Sequence, residues 1–366
     1  MKIISRRKFI SYSGIGAAAT ALQVQNSRPI MDQTKKINIA LVGLGRYATY
    51  LAEGIDTAKY CRVAGIVTGT PSKAETWKKK YNIPGKNIYN YQNFDNIASN
   101  KDIDLIYVVL PNAMHKEYVI RAAKAGKHVI VEKPMAITAT DCREMIEACK
   151  KAGVQLAMGY RLHYEPYHME LMRLGQQKVF GNVKVMEASL GYKSEDPKQW
   201  RHNKTLAGGG PLMNLGVYCV QVARYVTGEE PLTVTAQFGP VTRPDLFAEV
   251  EESITWQLQF PGGAMCNSIT TYNSQIDRFY AGAEKGSFEL SPAISYGPFI
   301  GKTSDGPLNF PATNQQQVQC DEICKKILAK ESLPSHITGE EGWKDMKVLE
   351  AIYASALSGG TKTQIN

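Results

Sequence analysis

Ile37-Asn38-Ile39-Ala40-Leu41-Val42-Gly43-Leu44-Gly45-Arg46-Tyr47-Ala48 decides the fold, because an apolar, strand-like run passes through two glycines into a helical pattern over residues 47–56. Gly43 permits a tight strand-to-helix turn, Gly45 admits backbone N–H groups close to a pyrophosphate, and the small Ala48 lets helix and strand pack closely. The helix amino terminus then faces phosphate with its favourable dipole. Gly43, Leu44, Gly45, Arg46 and Tyr47 are therefore candidate dinucleotide contacts, Arg46 serving as a cationic clamp.

Beyond this motif, strand-like stretches at 62–67, 104–110, 128–131 and 155–158 alternate with helical ones at 72–81, 115–125 and 140–152. Near-continuous apolar strands alternating with helices predict a doubly wound parallel sheet of the Rossmann type over residues 35–158. An NAD-selective site places an acid about 20 residues after the glycines to hold the ribose 2′-hydroxyl. This chain instead has Val67-Thr68-Gly69-Thr70-Pro71-Ser72-Lys73 there. With no carboxylate to repel a 2′-phosphate, and with Thr68, Thr70, Ser72 and Lys73 at hand, NADP is expected over NAD. The plainer alternative makes Ser72 a helix cap and Lys73 a solvated lysine.

Residues 1–34 read as a twin-arginine export signal followed by an exposed arm: Ser5-Arg6-Arg7-Lys8-Phe9-Ile10 precedes a small, apolar run, with Ala19-Thr20-Ala21 as a candidate cleavage site. A periplasmic location, reached through the twin-arginine machinery with a cofactor already loaded, is the corresponding expectation. The apolar run is too short for a stable membrane span. The formal charge of +9 does not read as a nucleic-acid footprint, since Lys2, Arg6, Arg7 and Lys8 supply four of those charges without a nearby acid, leaving +5 spread along the chain. Seven irregularly spaced cysteines without Cys-x-x-Cys suggest neither a disulfide framework nor a zinc site. His163 and His168 flank Pro166 without a ligand partner at metal spacing, so no metal is expected.

After Gly159 the texture changes. Alternating or apolar runs at 183–189, 232–238, 253–260, 264–271 and 278–290, separated by turn residues, predict a large, mostly antiparallel sheet in an α/β domain over residues 159–366. One helix is expected within it at 214–227, and another closes the chain at 342–357.

The ordered set Gly43-Leu44-Gly45-Arg46-Tyr47-Ala48, Leu110-Pro111-Asn112-Ala113-Met114-His115, Glu132-Lys133-Pro134, Gly159-Tyr160-Arg161-Leu162-His163-Tyr164-Glu165-Pro166, Ala207-Gly208-Gly209-Gly210 and Gly216-Val217-Tyr218 resembles the Gfo/Idh/MocA oxidoreductases, particularly the periplasmic glucose–fructose oxidoreductases. The resemblance implies a nicotinamide domain followed by an open-sheet α/β domain, sugar between them, and a homo-oligomer, dimer or tetramer, paired through the outer sheet face.

By the same resemblance Lys133 is the lysine of the Glu-Lys-Pro motif and Tyr218 the acid/base tyrosine. Leu110, Pro111, Asn112, His115, Glu132, Lys133, Arg161, Trp200 and Arg201 match cofactor-contact positions. Arg161, Tyr164 and Tyr272 match substrate-pocket positions, together with Lys133, Asn214 and Tyr218. The chemistry suits these roles, since hydride leaves a carbinol carbon as its hydroxyl proton is removed, and a phenol serves as base when a neighbouring ammonium stabilises its anion. Lys133 could also polarise a carbonyl in the reverse direction. One departure stands out. The family usually has an aspartate four residues before the tyrosine, whereas Asn214 can orient a hydroxyl but cannot accept a proton.

The expected function is an exported oxidoreductase that oxidises an aldose at C1 to a lactone and passes the hydride to a second sugar through tightly bound NADP. A conventional sugar or polyol dehydrogenase, an NAD-dependent glycoside hydrolase and a non-catalytic nucleotide-binding protein are the alternatives.

Overall fold

The computed structural model describes residues 35–365, so the candidate export signal lies outside the described residues. Six strands form the first sheet: β1 (Ile37–Val42), β2 (Cys61–Val67), β3 (Ile88–Tyr89), β4 (Leu105–Val108), β5 (His128–Glu132) and β6 (Leu156–Gly159). Their order is β3-β2-β1-β4-β5-β6, and every pairing is parallel. Helices α1 (Arg46–Asp56), α2 (Pro71–Tyr81), α3 (His115–Lys124) and α4 (Ala139–Ala152) supply the crossovers. All four β4 residues are buried, as expected of a strand covered on both faces. Strand order reverses between β1 and β4, which opens a crevice at their carboxyl ends. Gly43 closes that end of β1 with φ +91°, and a Cβ there would lie 2.5 Å from Val109 O.

The second sheet contains β7 (Val183–Gly191), β8 (Thr233–Phe238), β9 (Ser253–Gln259), β10 (Met265–Thr271), β11 (Ile276–Ala283), β12 (Gly286–Leu290), β13 (Gly301–Thr303), β14 (Gly306–Leu308) and β15 (Thr363–Gln364). Their order is β14-β13-β12-β11-β7-β10-β9-β8-β15, antiparallel except between β7 and β10. Alternation along β9 buries Ile254, Trp256 and Leu258 and turns Thr255 outward. The remaining helices are α5 (Pro166–Gln176), α6 (Lys204–Ala207), α7 (Val217–Thr227), α8 (Gln315–Leu328) and α9 (Gly339–Leu357).

The structure differs from the sequence expectation at several elements. The run expected over 278–290 is two strands, β11 and β12, joined by a hairpin. Helix α5 was not anticipated, although Pro166 occupies its first turn and the Glu165 carboxylate caps it by accepting from His168 N at 3.1 Å. Nor was α8, where buried Gln315, Gln316 and Gln319 disguise the apolar face. Helix α8 returns to the first sheet, packing Cys320, Ile323 and Cys324 into the cluster that contains Leu51, Ala52 and Ile55 of α1.

A buried ionic cluster ties α7 to α9. Arg224 of α7 donates to Asp345 and Glu341 of α9 and to Glu230, while Asp345 also accepts from Tyr160 Oη at 2.6 Å and from Gln221 Nε2 at 2.8 Å. Asp345→Ala would leave the Arg224 guanidinium buried with part of its partners gone. We expect a loss of about 3 kcal/mol in chemical denaturation. A change near zero would mean that Glu230 and Glu341 compensate fully.

Candidate active site

The crevice begins at two helix amino termini that present backbone donors. Helix α1 starts after Gly45 with no side-chain cap and no acid in its first turn, and a Cβ at Gly45 would meet nothing within 4 Å. Helix α2 starts after Thr70, also without a side-chain cap or an acid in its first turn. Thr70, not Ser72, occupies the cap position, so the plainer reading of Ser72 as a cap does not apply. Thr68 is buried and its Oγ1 accepts from Thr70 N at 3.2 Å, while Thr70, Ser72 and Lys73 are exposed. Lys73 Nζ donates to Leu44 O at 3.1 Å, bringing a cation beside the glycine turn. Arg46 is exposed at the start of α1 and donates from Nε to Tyr50 Oη at 3.3 Å. These open, uncapped and acid-free helix starts fit a dinucleotide carrying an extra phosphate.

Further in, β5 ends at Glu132 and delivers Lys133. Lys133 Nζ donates to the main-chain carbonyl of Asn214 at 2.8 Å and lies 4.3 Å from the centroid of the Tyr218 ring. Asn214 sits in a widened, π-helical turn, Leu212–Gly216, that leads into α7. Such turns are frequent at functional sites because they re-aim side chains within a helix. Glu251 fixes this entry by accepting from Gly210 N at 2.9 Å, Leu212 N at 3.1 Å and Tyr353 Oη at 2.8 Å. The Arg161 guanidinium lies 5.2 Å from the same Tyr218 ring.

Burial pushes the Tyr218 phenol towards higher pKa, but the cations of Arg161 and Lys133 outweigh it, leaving the phenol below its ordinary value. Lys133 is lowered, chiefly by burial and also by Arg201 and Arg161, against the opposing pull of Tyr218 and Glu132. Both groups thus sit below their ordinary values, the phenol because of its cations and the ammonium chiefly because of burial, and a phenol eased in this way is suited to taking and returning a proton. Burial raises Glu132 to about 7 against its bond from Tyr107 Oη, 2.7 Å long. Gln319 Nε2 donates to that same Tyr107 oxygen at 2.7 Å. Gly159 is required beside them, since a Cβ would lie 2.5 Å from Glu132 Oε1. The Tyr47 hydroxyl is buried without a hydrogen-bond partner, in the field of Glu132, Tyr218 and Arg161. An unpaired buried donor in this position suits a ligand that completes the site.

Trp200 and Arg201 stack on one another, 4.3 Å from guanidinium to ring, and Arg201 Nε donates to Asn214 Oδ1 at 3.2 Å. The structure thus brings Lys133, Arg161, Arg201, Asn214 and Tyr218 together. Other positions differ from expectation. Tyr164 packs against the α1 and α8 cluster with Cys320 and Cys324, because its short helical turn aims it into the core instead of the pocket. Tyr272 is 1% exposed, in an aromatic group with Tyr192, His202 and Phe247, and reaches the site only from beside Asn214. Asn112 spends its amide on Ala207 O at 2.8 Å, tying the first sheet to the segment before α7. His115 is fully buried and offers no nitrogen to a nucleotide: Nε2 lies 2.9 Å from Leu110 O and Nδ1 3.0 Å from Pro134 O. It latches the corner that carries Lys133. Sequence reasoning missed Tyr107, Gln315, Gln319 and Tyr296, whose relevance depends on distant segments meeting.

Among the described residues, no helix is long and apolar enough to cross a membrane. All seven cysteines are free and buried.

Residues 37–160 match the oxidoreductase family with an NAD-binding Rossmann fold, and residues 168–289 match the GFO/IDH/MocA C-terminal domain. Among solved structures, the chain is similar to the aldose-aldose oxidoreductase of Caulobacter crescentus complexed with glycerol, at 39% identity and a TM-score of 0.87, over 90% of this chain and 99% of that one. Among characterised relatives, it is 24% identical over 340 residues to the D-xylose 1-dehydrogenase [NADP(+)] of Haloarcula marismortui, covering 89% of this chain and 92% of that protein. It is also 32% identical over 202 residues to the trans-1,2-dihydrobenzene-1,2-diol dehydrogenase of Xenopus tropicalis, covering 55% of this chain and 58% of the relative.

His115→Phe separates a latch from a ligand contact. It removes the one N–H that the neutral ring donates to a buried carbonyl, at Leu110 or at Pro134 according to its tautomer, so thermal or chemical unfolding should report a loss of about 1–3 kcal/mol. Unchanged stability with weakened nucleotide binding in a titration would instead assign the ring to the nucleotide.

Proposed function

Because the chain belongs to the Gfo/Idh/MocA oxidoreductases and is a sugar oxidoreductase of that family, we propose that it is an exported enzyme that oxidises an aldose at C1 to a lactone. The hydride then passes to a second sugar carbonyl without release of the nucleotide. The observation that carries this reading is the Tyr218 phenol set against two cations, half-buried Lys133 at 4.3 Å and buried Arg161 at 5.2 Å from its ring. Support for two sugars comes from the likeness to an aldose-aldose oxidoreductase at 39% identity over nearly all of that chain.

A nicotinamide held at the glycine turn and the α1 start would supply the hydride chemistry, as acceptor from one sugar and donor to another. Tyr218 takes the C1 hydroxyl proton as hydride departs, and Lys133 and Arg161 stabilise the phenolate that makes this possible. In the return direction Lys133 polarises the acceptor carbonyl and Tyr218 gives the proton back. Asn214, held by Arg201, orients a sugar hydroxyl and takes no part in proton transfer.

NADP is the proposed nucleotide. The end of β2 has no carboxylate over residues 67–73, α2 opens without an acid, and Lys73 stands beside the glycine turn. The NADP(+)-dependent xylose dehydrogenase among the relatives agrees with this choice. Export rests on the paired arginines and the apolar run of the first residues. A periplasmic enzyme has no cytosolic nicotinamide pool to draw on, which favours a cofactor that stays bound and is recycled in place. Pairing of subunits through the outward face of the nine-stranded sheet completes the proposal.

Protein purified without added nucleotide, then denatured, should release stoichiometric NADP by chromatography, and before denaturation an aldose should reduce that nucleotide in place. An empty protein that turns over only with added cofactor points to a conventional sugar dehydrogenase. Bound NAD together with release of an aryl glycoside points to the hydrolase.

Tyr218→Phe removes the base and leaves the nucleotide cradle untouched. Turnover should fall by about 10²–10⁴-fold with nucleotide still bound. Undiminished turnover would remove Tyr218 from the mechanism.

A further inference from the structure

The loop over residues 291–300, between β12 and β13, belongs to neither the nucleotide motif nor the residues carried over from the family, yet it grips Arg161. Asp277, near the start of β11, accepts three consecutive backbone N–H groups from it: Ala293 at 2.9 Å and Ile294 at 2.7 Å on Oδ1, and Ser295 at 3.0 Å on Oδ2. Three donors converging on one carboxyl group fix the path of these residues. His168 of α5 holds the same loop through Nε2, 2.6 Å from Ala293 O.

The carbonyls of Ile294 and Ser295 in turn accept from the two terminal nitrogens of Arg161, the latter at 3.2 Å, and Gln315 of α8 accepts from the guanidinium as well. Arg161 is only 3% exposed. Its guanidinium lies near two aromatic rings, 4.6 Å from that of Tyr296 in the loop and 5.2 Å from that of Tyr218.

We propose that Asp277 is a positioning residue for the reaction: by fixing the backbone of residues 293–295 it holds Arg161 against Tyr218, and so governs how readily the phenol yields its proton. This rests on Tyr218 being the proton acceptor in the function proposed above. The charged and titratable groups facing Tyr218 are Lys133 and Glu132 from the end of β5, Arg161 ahead of α5, Tyr47 from α1 and Tyr296 from the loop. Of the two cations, Lys133 is held by the Asn214 carbonyl, so only Arg161 depends on the loop. Burial drives the phenol upward and Arg161 is the largest opposing influence, ahead of Lys133. Loosening Arg161 therefore raises the phenol, and the limb along which aldose oxidation rises with pH moves to higher pH.

Asp277→Asn keeps the size but sets an amide N–H₂ group against backbone donors. The rising limb of the pH–rate profile should move up by about one unit, with turnover about tenfold lower below the limb and the alkaline plateau retained. Tyr296→Leu, which removes a second ring from beside the guanidinium without touching the Asp277 bonds, should move the limb in the same direction. Tyrosinate difference absorbance, referenced to Tyr218→Phe, follows the same proton without turnover. A uniform loss of rate with an unmoved limb and an unmoved tyrosinate titration in both variants would overturn the assignment of Asp277 alone. A shifted titration in a protein that oxidises no aldose would support the Asp277 grip and overturn the functional reading instead.

Discussion

The interaction on which the rest depends is the bond from Lys133 Nζ to the Asn214 carbonyl, 2.8 Å long, because it joins the end of a strand in one sheet to the widened turn before α7 in the other half. An ammonium is costly to bury unless acceptors and counter-groups surround it. Here the Asn214 carbonyl, the Tyr218 ring and the Glu132 carboxyl supply them, and each comes with its own support. Glu251 holds the turn, Tyr107 and Gln319 hold Glu132, and His115 holds the corner before Met135. The two halves are registered to one another by what the half-buried lysine requires.

The site is thus electrostatically poised by burial. A phenol in an apolar surrounding resists ionisation, and a lysine there resists protonation. Placed side by side, with Arg161 added, the two cations outweigh the burial penalty on the phenol, while burial still holds the ammonium below its ordinary value. The ionic cluster around Arg224 and Asp345 acts further down the same helix. It anchors α7 to α9, so Tyr218 projects from a helix that is fixed at its far end.

Asn214 marks where this chain departs from the pattern it otherwise follows. Its side chain takes a bond from Arg201, and its main chain takes the one from Lys133. The main-chain contact is indifferent to whether the residue is asparagine or aspartate. The side-chain contact is a neutral one, so the Arg201 charge remains available to the site. An asparagine side chain here carries no proton, and in the proposed mechanism that task falls to Tyr218 with its two cations.

The parallel sheet, the glycine turn with its phosphate-facing helix, the missing acid after β2 and the Glu132-Lys133-Pro134 corner are all legible in the sequence, because each is a local pattern whose meaning is fixed by neighbouring residues. So are most strands of the second sheet, whose alternation reports one buried and one open face. Helix α8 was hidden because buried glutamines replace part of its apolar stripe, and Tyr164 was misplaced because a motif does not reveal which way a short turn aims a side chain. Tertiary structure alone decided that Asp277, the loop over 291–300 and Gln315 converge on Arg161, and that Tyr107 and Gln319 support Glu132. These groups are separated by more than a hundred residues in several cases, and only the folded path of the chain brings their hydrogen bonds within reach.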